Sequence, residues 1–272
     1  MSGATETNKK NSDKASQAFP AIASGVFLVA VITMIATGIR SSSANGIYDS
    51  LILLLAFVAT LVSLNTQLPV QNILLATVVV AFIGSAIQTL NTFTGVPFGP
   101  LFYKPASGPR LFNGLLWFFP FWWVVAILAS RGVARLILRP WRKIRAYGYW
   151  LIGLTTLLAI LLEFGLQPFA TQVRRYWIWT PSKLPVEWFG TPLSDFLGWL
   201  VTILLALAFA TPALMKRKPT KSTPDYHPLV IWVALNALFI AGACSQHLFA
   251  AAAVSAAACI IVIPFSIRGA MW

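Results

Sequence analysis

The sequence has few charged residues, few cysteines and few histidines. Only 10% of its 272 residues are charged and 58% are hydrophobic, whereas about 25% are charged in an ordinary soluble domain. The two cysteines lie inside separate apolar runs, and the two histidines are far apart with no ligand at metal-binding spacing. These shortages argue against a soluble domain, a disulfide framework and a metal centre. No metal or redox cofactor is predicted.

The charge is strongly positive but dispersed. There are 20 Lys and Arg residues against seven Asp and Glu, for a net charge of +13. The cations lie in short segments between apolar runs, which is typical of membrane topology and not of a phosphate-binding face. We therefore expect a lipid bilayer as a partner, and no nucleic acid.

Eight apolar runs are long enough to cross a membrane. They occupy about residues 21–39, 47–64, 70–90, 111–130, 148–167, 192–214, 228–246 and 248–266. A tight turn at Gln246 and His247 separates the last two. The sequence predicts an all-α, polytopic transmembrane helix bundle of about eight spans, with one helical domain over residues 21–268. Residues 1–20 are polar and are predicted to form a disordered tail.

The distribution of Lys and Arg predicts the orientation of the bundle. With the N-terminus in the cytoplasm, 14 of these residues fall on the cytoplasmic side and six on the outer side. Both termini are therefore expected in the cytoplasm. The Arg-rich segment 131–145 then lies inside, where it is predicted to anchor the topology and to meet anionic lipid.

In this topology, polar residues of the spans converge on one end of the bundle. Gln88, Glu163, Gln167 and Asp195 are all predicted near the outer face, with Asp49 at the edge of the second span. The long loops at about 91–110 and 168–191 lie at the same level. A functional site near the outer face is therefore predicted.

Glu163 is the most informative of these residues because every neighbour in its run is apolar or nearly so. An ionised carboxylate near the centre of a spanning helix costs roughly 2.5–3.5 kcal/mol, and burial favours the neutral acid. Glu163 is therefore a candidate proton donor. Gln167 lies on the same helix face, and Pro168 ends the helix. A carboxyl–amide hydrogen bond that joins two helices is the structural alternative.

Asp195 lies near the start of the sixth run. Thr191 is a suitable N-cap, Pro192 suits the first helical position, and the helix dipole favours a carboxylate in the first turn. These features explain Asp195 structurally. The functional alternative is that Asp195 stays ionised while Glu163 stays neutral, so that the two carboxyl groups take separate roles.

The loops of the outer end are rich in glycine, proline and aromatic residues. The segment 94–100 cannot be helical and is either a lip over a pocket or a rigid interfacial loop. The aromatic residues are typical of an interfacial belt, and their faces could also stabilise a carbocation.

Several segments together resemble the membrane-integral carotenoid biosynthesis family, which includes hydratases acting on γ-carotene or bisanhydrobacterioruberin. They are Thr-Gly-Val-Pro-Phe-Gly at 94–99, Glu163 with Pro168, Trp-Ile-Trp at 177–179, and Gly-Thr-Pro-Leu-Ser-Asp-Phe-Leu-Gly-Trp at 190–199. The resemblance covers roughly residues 85–205. It departs from the family where Gln88 and Gln167 replace carboxylates and where Asp195 replaces an Asn.

The resemblance implies cofactor-independent hydration of a terminal carotenoid double bond to a tertiary alcohol, the chemistry of a carbon–oxygen lyase. Glu163 would protonate the double bond, while Asp195, with Gln88 and Gln167, would hold the water and accept its proton. The substrate-binding residues would be Thr94, Phe98, Trp177, Trp179 and Trp199.

Two other functions stay open at this point. A lycopene-cyclase-like isomerase would start from the same protonation but end in ring closure. A non-catalytic carotenoid- or lipid-binding membrane protein is compatible with the amides at Gln88 and Gln167. The sequence does not indicate any partner enzyme.

Overall fold

Eight long helices make up most of the molecule. A computed structural model describes residues 2–39, 46–104, 107–111, 114–180, 186–215 and 224–272, with the backbone alone for residues 2–17 and 46. Within these ranges, eight helices are long and apolar enough to cross a membrane. The predicted all-α bundle of about eight spans is confirmed. The orientation of the bundle in the membrane stays a prediction.

The helices follow the apolar runs closely except in three places: the first helix begins earlier than predicted, the fourth begins later, and a π-helical turn (Phe169–Val173) continues the fifth past Pro168. They are α1 (Ser2–Ala36), α2 (Gly46–Asn65), α3 (Val70–Thr94), α4 (Phe119–Ile137), α5 (Tyr147–Pro168), α6 (Leu193–Leu214), α7 (His227–Ser245) and α8 (Phe249–Ala270). Helix α1 includes the polar segment predicted to be disordered, and the division of the chain into a tail and a helical domain stays a prediction.

The fourth span begins later than predicted. The run at 111–130 was predicted to be helical, but its first residues form a hairpin of β2 (Arg110–Leu111) and β3 (Leu115–Leu116). Helix α4 begins at Phe119, and Pro120 occupies its first turn, where a missing N–H costs little. Arg131, predicted to lie in a cytoplasmic segment, is therefore a buried residue of α4.

A small layer of strands covers one end of the bundle. Strand β1 (Leu101–Tyr103) pairs antiparallel with β4 (Trp177–Trp179), and β5 (Glu187–Trp188) pairs with β6 (Thr191–Pro192). The first pair joins the two long loops predicted to lie at the same level. Because side chains alternate along a strand, Trp177 and Trp179 are buried while Ile178 is exposed.

Small residues allow close approach of the helices beneath this layer. A Cβ atom at Gly198 of α6 would lie 2.5 Å from Phe98, and Gly84 of α3 lies directly against Trp123. The ring of Trp123 in turn stacks on Trp199 at a centroid distance of 3.9 Å. The loop after α3 and the first turns of α4 and α6 are thus packed into one rigid unit.

Helices α7 and α8 are joined by the predicted tight turn. Helix α7 ends at Ser245 and α8 begins at Phe249, while His247 takes a positive φ of 59°. The helices alternate in direction along the chain, so the starts of α4 and α6 and the ends of α3 and α5 lie at the same end of the bundle as the strands.

Candidate functional site

The side chain of Gln167 is the centre of a buried polar cluster. Its Nε2 donates one hydrogen bond to Oε1 of Glu163 at 2.5 Å and another to Oδ2 of Asp195 at 2.9 Å. Glu163, Gln167 and Asp195 are 1%, 2% and 2% exposed, respectively. The structure thus brings together, through one amide group, three of the four residues predicted to be catalytic.

Three donors fix the orientation of this amide. Its Oε1 accepts hydrogen bonds from Nε1 of Trp177 at 3.3 Å, Nε1 of Trp179 at 3.2 Å and Oγ1 of Thr191 at 3.2 Å. A flipped amide would place its NH₂ group against two indole N–H groups, which can only donate. Gln167 therefore presents both of its hydrogens to the two carboxyl groups, and its polar atoms have no capacity left to hold a water.

One carboxyl oxygen of Glu163 lacks a well-formed hydrogen bond within the part of the chain that the structure describes. Oε2 of Glu163 is buried and makes no hydrogen bond of standard geometry to any described residue, and the same is true of Nε1 of Trp122. Trp122 nonetheless interacts with the Glu163 carboxyl. Because buried polar atoms are usually paired, an unpartnered carboxyl oxygen beside an indole N–H is a suitable place for an acidic proton or a reacting group.

The start of α6 differs from the predicted cap. The N-cap is Pro192 and no side chain caps the helix, because the hydroxyl of Thr191 donates to Gln167 instead. Thr191 is fully buried. Thr191, which was predicted to cap the helix, therefore belongs to the polar cluster instead.

Gln88 is connected to this cluster through a tyrosine. Nε2 of Gln88 donates to the hydroxyl of Tyr103 at 3.0 Å. Tyr103 lies near enough to Asp195 for the two to interact electrostatically, and its ring meets Trp177 edge-on at 6.3 Å. Burial raises the pKa of Tyr103 above its ordinary value, and the charge of Asp195 adds to this effect, so its hydroxyl keeps its proton.

The residues predicted to bind substrate occupy different environments. Trp177 and Trp179 touch the cluster directly, as described above. Phe98 is fully buried against Trp123 at 6.1 Å, and Trp123 stacks on Trp199. Thr94, by contrast, is exposed, and among the described residues its hydroxyl bonds only within the local turn: it donates to the carbonyl groups of Leu90 and Val96 and accepts from the backbone N–H of Val96. Thr94 therefore makes no hydrogen bond to the described residues of the polar cluster.

The loop at 94–100 is a fixed part of the scaffold. Oδ1 of Asn91 accepts from the backbone N–H groups of Phe98 and Gly99, and its Nδ2 donates to the carbonyl of Gly99 at 2.9 Å. Ser194 of α6 donates to the carbonyl of Phe98 at 2.9 Å. These bonds tie the loop to α3 and to the first turn of α6, beside Asp195.

An apolar cavity of about 70 Å³ lies next to the cluster. Its wall is largely aromatic and is formed in part by Phe118, Trp122, Phe169, Tyr176, Trp177 and Phe239. Trp122 and Trp177 belong both to this wall and to the surroundings of Glu163 and Gln167. The carboxyl groups thus lie directly behind one face of the cavity.

A separate ion pair borders the same cavity. Oδ2 of Asp49 lies 2.8 Å from Nε of Arg174, and Nη2 of Arg174 donates to Oδ1 of Asp49 at 2.8 Å. The hydroxyl of Tyr176 also donates to Asp49. Burial raises the pKa of Tyr176 above its ordinary value, and the charge of Asp49 adds to this effect. The Asp49 carboxylate is thus neutralised by a cation.

Sequence reasoning missed Tyr103, Trp122 and Thr191 as site residues. Tyr103 sits on a short strand whose pairing partner is distant in sequence, and Thr191 donates to Gln167, 24 residues away, so nothing local indicates either contact. Trp122 lies in a run of aromatic residues that is typical of an interfacial belt. Its burial at 5% exposure was the missing information, and the late start of α4 is what places it beside Glu163.

Comparison with known proteins gives the family. The family model described as carotenoid biosynthesis protein matches residues 48–264, which is most of the chain. The chain belongs to this family and has a general role in carotenoid biosynthesis. A carotenoid substrate and a lipid environment fit its apolar helices. No match is found among curated proteins or among solved structures.

Proposed function

We propose that this member of the family adds water to a terminal double bond of a carotenoid, by protonation and without a cofactor. One observation carries the proposal. Two buried carboxyl groups, Glu163 and Asp195, are joined by the single amide of Gln167 behind the aromatic wall of an apolar cavity. An acid, a base and a water-poor aromatic surrounding are what hydration of an isolated alkene needs.

The first step uses Glu163 as the general acid. Its proton goes to the methine carbon of the terminal isopropylidene group, whose π electrons form the new C–H bond. A tertiary cation is left on the carbon that carries two methyl groups. The rings of Trp122 and Trp177 support this step because aromatic faces attract cations. The unpartnered Oε2 of Glu163 beside Trp122 is the oxygen best placed to deliver the proton.

The second step uses Asp195 as the base. A water oxygen adds to the tertiary cation, one of its protons passes to the Asp195 carboxylate, and a tertiary alcohol results. The cycle closes when that proton returns to Glu163. Both carboxyl groups accept from one amide, so Gln167 holds the acid and the base at fixed positions on either side of its NH₂ group.

Gln167 acts as a positioning residue in this scheme. Its five hydrogen bonds leave no group free for water. The hydroxyl of Tyr103, which accepts from Gln88 and lies near Asp195, is the better candidate to hold the water. We therefore assign Gln88 the orientation of Tyr103 and not direct contact with the water.

Entry of the substrate requires a side chain of the wall to move. The cavity of about 70 Å³ is smaller than the roughly 150 Å³ that holds one benzene ring. Rotation of Trp122 would both widen the cavity and expose Glu163. Only the end of the polyene needs to enter, while the remainder of the chain lies in the bilayer.

The experiment is expression in cells that make γ-carotene or lycopene, followed by mass analysis of the pigments. We expect a product heavier by one water with the natural chain and with Glu187→Gln, an exposed glutamate on β5. The product should be absent with Glu163→Gln, which keeps the acceptor for Gln167. Both variants must be present in the membrane in equal amounts.

The two other functions predict different pigments. An isomer of unchanged mass that depends on Glu163 would identify a cyclase-like isomerase, in which the cation is captured by the polyene itself. Unchanged pigment that purifies with the protein would identify a binding protein. Either result overturns the hydration proposal.

A further inference from the structure

A second polar pocket lies at the opposite end of the bundle. It has a volume of about 50 Å³ and lies between the ends of α2 and α4 and the starts of α5 and α7. Its polar lining is formed by Gln67, Arg131, Arg135, Arg139, Arg142, Tyr147 and Asp225. Four guanidinium groups therefore face a single carboxylate.

The carboxylate is already engaged by neutral donors. Oδ2 of Asp225 accepts from Oγ of Ser63 at 2.7 Å and from Nε2 of Gln67 at 2.8 Å, while Oδ1 accepts from the backbone N–H of His227 at 3.0 Å. The pocket thus keeps a strong excess of positive charge, and Arg135 lies close enough to Arg131 for the two cations to repel each other.

Arg131 is the most informative residue of this pocket. It is 6% exposed, and its Nη2 donates to the carbonyl of Leu214 at 3.2 Å. Its Nη1 is buried and has no hydrogen-bond partner among the described residues. A buried guanidinium without a counter-ion is costly. Its position on the pocket wall indicates an anion with several acceptor oxygens.

An apolar groove adjoins the pocket and indicates where the anion comes from. The groove of about 330 Å³ is lined by Leu138, Trp141, Ile144, Tyr147 and Trp150, so that Tyr147 borders both spaces. Trp141, Ile144 and Trp150 are all about half exposed or more. An acyl chain can lie along this surface while its head group reaches the arginines.

We propose that this pocket binds the phosphate group of an anionic phospholipid, with an acyl chain in the adjoining groove. Guanidinium groups suit this ligand because their planar forks pair with phosphate oxygens in bidentate fashion. Basic pockets between transmembrane helices bind lipid head groups in this way. The site is separate from the carboxyl cluster and does not depend on the proposed hydration.

The test measures lipid affinity of the delipidated full-length chain in a non-ionic detergent. Thermal unfolding is followed while phosphatidylglycerol, phosphatidylcholine or inorganic phosphate is added. The test variant is Arg135→Gln with Arg142→Gln. The matched control is Lys143→Gln with Arg145→Gln, which removes the same charge from exposed residues of the same segment that do not line the pocket.

We expect phosphatidylglycerol to stabilise the natural chain and the control, with phosphatidylcholine much weaker. The test variant should lose roughly 20- to 30-fold in apparent affinity for phosphatidylglycerol, since each cation near an anionic lipid contributes about a fivefold factor. If the test variant does not fold, Arg142→Gln is compared with Arg145→Gln, and both side chains are exposed.

The remaining outcomes separate the sources of the phosphate. If inorganic phosphate stabilises the protein as strongly as phosphatidylglycerol does, the pocket is a phosphate site, but the proposal that a lipid occupies it is wrong. Equal losses in the test and control variants would show that the whole basic segment attracts lipid and that the pocket has no special part. No preference for phosphatidylglycerol over phosphatidylcholine would overturn the proposal altogether.

Discussion

The two ends of the bundle bury ionisable groups in opposite ways. At the strand-covered end, Glu163 and Asp195 receive hydrogen bonds from a neutral amide, and neither forms an ion pair with a described residue. At the other end, Arg131 is a buried cation whose Nη1 has no described partner. Buried acids without a cation favour proton transfer, whereas a buried cation such as Arg131, with no counter-ion among the described residues, favours binding of a charged ligand.

Asp49 sharpens this comparison because it lies at the same strand-covered end of the bundle as Glu163 and Asp195 but forms an ion pair with Arg174. Arg174 contacts both of its oxygens, so its charge is neutralised in place. Removing one partner of such a buried pair destabilises a protein strongly. We therefore interpret Asp49 as a structural residue and assign proton transfer to Glu163 and Asp195.

The largest expected effect comes from removing the second carboxyl group. Asp195→Asn keeps an acceptor for Gln167 but cannot take a proton from water, and we expect a loss of roughly 10²–10⁴-fold in hydrated product. Because the two acids act as one unit, Asp195→Asn with Glu163→Gln should lose little more than either single variant. The measurement is the rate of formation of the hydrated product in membranes that contain equal amounts of each variant.

The same variants also test the separation of the two ends. They should bind phosphatidylglycerol as the natural chain does, since the arginine pocket lies at the other end of the bundle. Equal loss of lipid binding and product would indicate general misfolding, and a fully additive double variant would contradict the proposal that the two acids act as one unit.

The next effect is on stability and concerns Gln167. Gln167→Leu would leave two indole N–H groups, the hydroxyl of Thr191 and two carboxyl groups without their common partner. Each orphaned buried group costs about 1–3 kcal/mol, so the thermal midpoint should fall clearly.

Gln172→Leu is the matched control, because Gln172 is exposed and donates only to the backbone of Phe189. Surface substitutions of this kind change stability by about 0.5 kcal/mol or less. Equal midpoints for the Gln167 and Gln172 variants would contradict the central position of Gln167.

The fold could be predicted almost entirely from the sequence, because length and apolarity decide which segments can cross a bilayer. The failure at α4 has a physical reason. Residues 111–118 are as apolar as a spanning helix, but Gly114 and the pairing of Leu111 with Leu115 form a hairpin. Apolarity alone does not distinguish a hairpin with one buried strand from the first turns of a helix.

The grouping of Gln88, Glu163, Gln167 and Asp195 at one end of the bundle could be predicted from the order of the spans, but individual hydrogen bonds could be predicted only where residues share a helix face. Glu163 and Gln167 are four residues apart, so their hydrogen bond follows from helix geometry. The hydrogen bond of Gln88 does not follow from helix geometry, since its partner Tyr103 is placed by the pairing of β1 with β4. Asp195 meets Gln167 through the packing of α5 on α6, for which the sequence shows no local signal.

A smaller effect is expected from removing the hydroxyl of Tyr103. Tyr103→Phe keeps the ring contacts with Phe119 and Trp177 but removes the group that we assign to hold the water. One such hydrogen bond corresponds to about tenfold in rate. Tyr149→Phe, at an exposed position, is the control and should leave the rate unchanged.

The pH dependence provides a second readout for Tyr103. Because burial raises its pKa above the ordinary value of about 10, the hydroxyl stays protonated between about pH 7 and pH 9. The ratio of the Tyr103→Phe rate to the natural rate should therefore be constant over this range. A ratio that approaches one at high pH would indicate that the tyrosine ionises there, against this interpretation.

The smallest effect is expected at Thr94, although the resemblance implies that it binds substrate. Its hydroxyl is exposed and bonds only to the backbone of its own turn, so Thr94→Ala should change the rate by less than about twofold. Asn91→Ala is the contrasting variant, because Asn91 holds the backbone of Phe98 and Gly99 in place. Its loss should release the loop beside Asp195 and lower both the rate and the thermal midpoint. If Thr94→Ala instead lowers the rate at an unchanged midpoint, the substrate passes over the exposed face of the loop, and entry by way of Trp122 is wrong.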